Sequence, residues 1–192
     1  MSFFIVDVEA DGPIPGTYSM LEFAAVKLTP KLETTYYSGK IKPITDYFEE
    51  EALRAIGADR KLYIESGREP QAVMKDFENW LKTESKGRPI FMSDNVAFDW
   101  QFINWYFHNF INANPFGYSG RRIGDLYCGL KHDMYATWKY LRTTRHTHHP
   151  LDDAMGNAEA MLRIRALGLQ ISLDSDKATS ETLGRDDERS VQ

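Results

Sequence analysis

The apolar run Phe3-Phe4-Ile5-Val6 ends on Asp7-Val8-Glu9, and this junction constrains the chain more than any other segment. Side chains alternate along a strand with period two, so Asp7 and Glu9 share one face of a segment otherwise fit for burial. Two carboxylates held together at the end of a buried strand repel each other, and desolvation disfavours both charges. A cation between them removes both costs. Hard oxygen ligands suit Mg2+ and Mn2+, whose sites draw one or two carboxylates from each of several segments and leave positions for substrate phosphates. Further carboxylates are therefore expected downstream.

A chain of 192 residues with 42% hydrophobic content buries one substantial core. The sequence predicts a single domain over 1–173. Beyond Leu173 the chain turns polar and charged without apolar periodicity, which predicts a disordered tail over 174–192. The N-terminus lacks a basic stretch followed by an apolar signal core, and no apolar run approaches the roughly 20 residues of a membrane-spanning helix. A soluble, cytoplasmic protein without a membrane partner is expected. The single cysteine, Cys128, excludes an intramolecular disulfide and a multi-cysteine zinc site, and reads as a small core residue. A formal charge of -5 argues against a broad basic surface that coats nucleic acid, but not against a grip on a short end through metals.

Strands and helices alternate along the chain. Residues 3–9, 21–28 and 35–41 read as three strands of an antiparallel meander, with Asp11-Gly12-Pro13-Ile14-Pro15-Gly16 as the first turn. Pro70 opens a helix in which Val73, Phe77, Trp80 and Leu81 recur at helical spacing, and Lys86-Gly87 ends it. A short strand over 89–92 follows, then an aromatic helix over 99–110. Residues 123–126 read as a last short strand before another helix. Leu151, Ala154, Met155, Ala158, Met161, Leu162 and Ala166 form the stripe of a final helix, with Asp152 and Asp153 in its first turn and Gly168 as its stop.

Asn95-Val96-Ala97-Phe98-Asp99 places Asp99 where a connection enters a helix, and His148 stands five residues before Asp153. The set Asp7-x-Glu9, Asn95-x-x-Phe98-Asp99 and His148-x-x-x-x-Asp153, in that order, resembles the DEDDh family of 3'-5' exonucleases over roughly residues 3–168. Glu22-Phe23-Ala24-Ala25-Val26 is similar to the family's second strand. Two departures stand out. Ala10 replaces the Thr or Ser that often follows the first-motif Glu, and Pro150 replaces a small residue.

The resemblance implies an α/β, RNase H-like fold: a mixed central sheet, antiparallel meander plus parallel strands, flanked by helices. It implies that Asp7, Glu9, Asp99 and Asp153 converge on two divalent cations, Mg2+ or Mn2+, with His148 as general base. Substrate contacts are expected from Ala10, Asp11 and Asn95, and from Met20 and Leu21 as an apolar contact for a terminal base. The implied reaction is stepwise release of nucleoside 5'-monophosphates from the 3' end of single-stranded nucleic acid, RNA slightly favoured over DNA. A homodimer is among the expected assemblies. The alternatives are a binding module of the same fold without catalysis, and a phosphoesterase acting on small nucleotides.

Plainer readings stand beside these. Asp152 serves the helix dipole, worth only ~0.3–1 kcal/mol. His146, His148 and His149 could ligate zinc, but no cysteines and no second His pair accompany them. Phe98, Phe102, Trp105 and Tyr106 could stack bases, although aromatics at helical spacing usually form core. Arg121-Arg122 and the Arg142 to Arg145 stretch could contact phosphates or merely be solvated surface.

Overall fold

A strand buried on both faces needs apolar residues on both, and β1 (Ser2–Ala10) has them. Phe4, Val6, Val8 and Ala10 enter one core, while Ile5 enters a second on the opposite face. The computed structural model describes residues 1–32 and 35–174. β1 pairs antiparallel with β2 (Met20–Lys27), which pairs antiparallel with β3 (Tyr36–Lys40). On its other side β1 runs parallel to β4 (Pro89–Ser93), and β4 runs parallel to β5 (Gly120–Arg122). The five-stranded order is β3-β2-β1-β4-β5, so the expected mixed sheet is present with β1 at its centre.

Helices cover both faces. The first core is closed by α3 (Pro70–Glu84) and α4 (Val96–Ile111), which contribute Val73, Met74, Phe77 and Leu81 and then Phe102, Ile103, Tyr106 and Phe107. Those α4 positions repeat at i, i+1, i+4 and i+5, one continuous stripe of a helix. Of the aromatic set, Phe102 and Tyr106 are core, while Phe98 and Trp105 pack against it partly buried. The second core is closed by α6 (Pro150–Ala166), which packs on β1 and β2 through Ala154, Ala158, Ala160, Met161 and Ile164. Alanines at this contact bring the helix axis close to the sheet. Gly156 serves the same purpose toward a loop, since a Cβ there would lie 2.7 Å from the Thr144 carbonyl oxygen.

Two short helices, α1 (Glu50–Ala55) and α2 (Arg60–Ser66), follow β3. The predicted strand over 123–126 is corrected: β5 lies just before it, and Ile123 begins α5 (Ile123–Lys131). Ile123 and Tyr127, one turn apart, are the buried face of that helix, so their bulk serves helical packing. Cys128 sits on α5, partly buried. The predicted tail lies outside the described residues except for Asp174, whose Oδ2 accepts a 2.6 Å bond from the Ser2 hydroxyl and lies 3.6 Å from the Lys27 ammonium. Among the described residues no helix is long and apolar enough to cross a membrane.

Candidate active site

Asp7 and Glu9 continue the face of Ile5 and therefore point toward α6. They stand at the carboxyl end of the central strand, next to the carboxyl end of parallel β4, where open α/β sheets place their ligand crevice. Asp153 reaches them from the first turn of α6. One oxygen from each of Asp7, Glu9 and Asp153 lies within 4.8 Å of the others. Asp99 comes from the first turn of α4, and its Oδ1 accepts the Val8 N–H at 3.1 Å, midway between the two acids of β1. Both helix N-termini favour a negative charge at these positions.

Burial and mutual repulsion act on the same groups. Glu9, Asp99 and Asp153 are 9%, 3% and 1% exposed. The Asp7 carboxyl is pushed well above its ordinary 3.8, first by burial, then by the charges of Asp99, Glu9 and Asp153, with Arg142 opposing. Glu9 is pushed up to about 8 by burial, then by Asp153, Asp99 and Glu22, the last directly opposite it across the β1–β2 pair. Asp99 is pushed up to about 7, chiefly by burial. These carboxylates resist ionising together unless a cation joins them. The donor set is all oxygen, which fits Mg2+ or Mn2+.

The loop before α6 is strapped into place. Glu159 accepts the N–H groups of Thr143 and Thr144 at 2.7 and 2.8 Å, and Arg163 donates to the Leu141 carbonyl at 2.8 Å. Arg142, its guanidinium 4.9 Å from the Trp138 ring, donates to Asp94 at 3.1 Å. The N–H groups of Thr147 and His148 then bind the two oxygens of Asp153 at 3.0 and 3.1 Å. His148 has a left-handed backbone, φ 58°, and its exposed ring meets that of His146 at 4.3 Å between centroids. His146 Nδ1 lies 2.7 Å from Asp153 Oδ2, a contact that sequence spacing gave no reason to favour over one from His148. His149 is the residue before α6 and its side chain makes no capping bond.

The expected substrate contacts fare differently. Asn95 is exposed at the start of α4, where its carbonyl accepts the Phe98 and Asp99 N–H groups. Ala10 is buried in the first core. Asp11 is wholly buried, with Oδ1 taken by the Ser19 N–H and Oδ2 by Arg60 at 2.9 Å, so neither oxygen is open to substrate. Met20 and Leu21 are also corrected: both are wholly buried on β2, where apolar bulk fills the core instead of meeting a base. Sequence reasoning missed Arg60, which also donates to the Thr45 carbonyl and lies over the Phe48 ring at 5.1 Å. It also missed Tyr47 and Phe48, exposed aromatics in a stretch that Glu49 ties to the loop after β1 by its N–H bond to the Asp11 carbonyl. The signal was available: an aromatic pair set between Asp46 and the acidic run Glu49-Glu50-Glu51.

No protein-family model matches the sequence. A curated relative, the 3'-5' DNA exonuclease Cap18 of Escherichia coli, is 35% identical over 186 residues, which cover 90% of this chain and 96% of the relative. Among solved structures, the nuclease domain of 3'hExo, a DEDDh family member bound to rAMP, superposes with a TM-score of 0.72 at 18% identity, covering 90% of this chain and 96% of that one. E. coli Exonuclease I in complex with a dT13 oligonucleotide gives 0.66 at 17% identity, covering 85% of this chain and 41% of that one. The sheet is thus of the RNase H-like kind. An exonuclease relative matched over nearly its whole length, on a fold shared with a DEDDh nuclease domain, places the chain in the DEDDh family of 3'-5' exonucleases.

Proposed function

We propose that the chain removes nucleoside 5'-monophosphates one at a time from single-stranded DNA 3' ends, with Asp7, Glu9, Asp99 and Asp153 holding two Mg2+ or Mn2+ ions. The observation that carries this reading is the convergence of four acids from β1, α4 and α6, three of them almost fully buried. When bound, the ions supply Lewis acidity that activates the attacking water and offsets charge on the leaving 3' oxygen. The chain's own residues do the rest. The acids would hold those cations where the scissile phosphate docks. His148, carried by the strapped loop, accepts the water's proton on an imidazole nitrogen, the commonest side chain for general-base work. Its exposed ring leaves it able to turn toward the phosphate.

The expected lean toward RNA gives way to DNA, because the relative at 35% identity is a DNA exonuclease. Phe48, half-exposed beside the loop after β1, takes over from Met20 and Leu21 as the apolar contact for a terminal base. Equal-sequence single strands of DNA and RNA, 5'-labelled and mixed in one reaction with Mg2+, test the substrate. Faster loss of DNA supports the reading, and faster loss of RNA overturns that part of it.

A further inference from the structure

Two of the clustered histidines converge on one acid. His146 Nδ1 is 2.7 Å from Asp153 Oδ2, and His146, His148 and Asp153 each offer one ligand atom within 4.8 Å of the others. His148 has a left-handed backbone, and the rings of His146 and His148, two residues apart, meet at 4.3 Å. This donor set differs in kind from the all-oxygen set of Asp7, Glu9 and Asp153. Two imidazoles and one carboxylate suit Zn2+ and its neighbours in the first transition row, whereas Mg2+ takes oxygen and retains its waters. Zinc at ~2.0–2.1 Å from its ligands in tetrahedral geometry holds them roughly 3.3 Å apart. The His146–Asp153 pair is close to that spacing already. The His146 side chain is 50% exposed, so a small outward shift of its ring lets a cation replace the proton between them.

We infer that His146, His148 and Asp153 form an inhibitory site for one Zn2+-class cation. The inhibitory part rests on the proposed exonuclease mechanism: a cation there occupies the imidazole nitrogen that takes the water's proton and draws Asp153 away from the activating ions. No covalent bond forms or breaks, so a chelator reverses it. High Mg2+ does not, because it has little affinity for imidazole.

Co2+ binding to the full chain, followed by visible absorption, tests the site without any nuclease reaction. Four-coordinate Co2+ with nitrogen ligands absorbs far more strongly than Co2+ in a six-coordinate oxygen site. The wild type should give one equivalent of strong absorption that Zn2+ displaces. His146→Asn, confirmed as folded by circular dichroism, should lose it, while Asp7→Asn should keep it. In saturating Mg2+, Zn2+ should inhibit the wild type at a concentration about tenfold or more below that needed for His146→Asn, each relative to its own zinc-free rate. Absence of the band in the wild type, its persistence in His146→Asn, its loss in folded Asp7→Asn, or equal zinc sensitivity would overturn the assignment. An enzyme inactive without zinc would overturn the inhibitory role together with the Mg2+-driven mechanism, while the spectrum would still report whether the site binds.

Discussion

Glu9→Gln isolates the electrostatic cost built into the acid cluster, since it removes a charge and keeps the shape. Glu9 is 9% exposed, and its carboxyl is pushed from 4.5 to about 8 by burial and then by Asp153, Asp99 and Glu22. A raised value means that the folded chain keeps this proton to higher pH than the unfolded chain. Its stabilising contribution is therefore complete below about pH 4.5 and is lost as pH rises to about 8. At about 1.4 kcal/mol per pH unit, a rigid and isolated carboxyl would lose roughly 5 kcal/mol across that window. A side chain at a strand end can turn and admit water, so we expect about 2 kcal/mol. Urea unfolding in EDTA should find Glu9→Gln more stable than wild type by that amount at pH 9, with the difference nearly gone at pH 4.5. Saturating Mg2+ should reverse the order, because a ligand bound only to the folded state stabilises it and the variant binds it less well. A variant equal to or weaker than wild type at pH 9 in EDTA would refute the argument.

Three further outcomes are expected. His148→Ala should lose activity by roughly 10²-fold or more while Mg2+ binding by calorimetry changes little, and a large loss in His149→Ala instead would place the base one residue later. Arg60→Ala strips the cation from wholly buried Asp11 and should cost about 3 kcal/mol in urea unfolding at pH 8, and less as pH falls, because burial already raises this carboxyl and the lost guanidinium no longer opposes it; an unchanged midpoint would show that the pair is dispensable. Truncation after Asp174 should leave the melting temperature nearly unchanged, whereas truncation after Leu173 also removes the contact to Ser2 and Lys27 and should lower it measurably.

The parts of the fold that sequence predicts well are those with extreme patterns. β1 is a continuous apolar run ending in two acids, and α6 is an alanine-rich stripe opening on two more, so both were legible. β5 was not, because a three-residue strand of Gly120, Arg121 and Arg122 has no alternation to read, while Ile123 looks strand-like and packs as a helix residue. α4 starts three residues earlier than predicted because its N-terminus is set by the Asn95 carbonyl accepting the Asp99 N–H, which apolar periodicity does not report. At the site, the motif acids were legible by spacing. The contacts of Asp11, Met20 and Leu21 were not, since side-chain type alone does not distinguish a wall of the core from a wall of the cleft. The pairing of His146 with Asp153 sits beside a left-handed residue, His148, and such a conformation is uncommon enough outside glycine that spacing alone does not anticipate it.

We propose that the four acids and His148 form a metal-dependent site that acts only on a free 3' end. Its most direct test is the product ladder from a 5'-labelled single-stranded DNA oligomer incubated with Mg2+, beside a circular single strand of the same sequence. The labelled strand should shorten one nucleotide at a time, the circle should stay intact, and EDTA or Asp7→Ala should stop the reaction. Cleavage of the circle, or an undiminished ladder from Asp7→Ala, would contradict it.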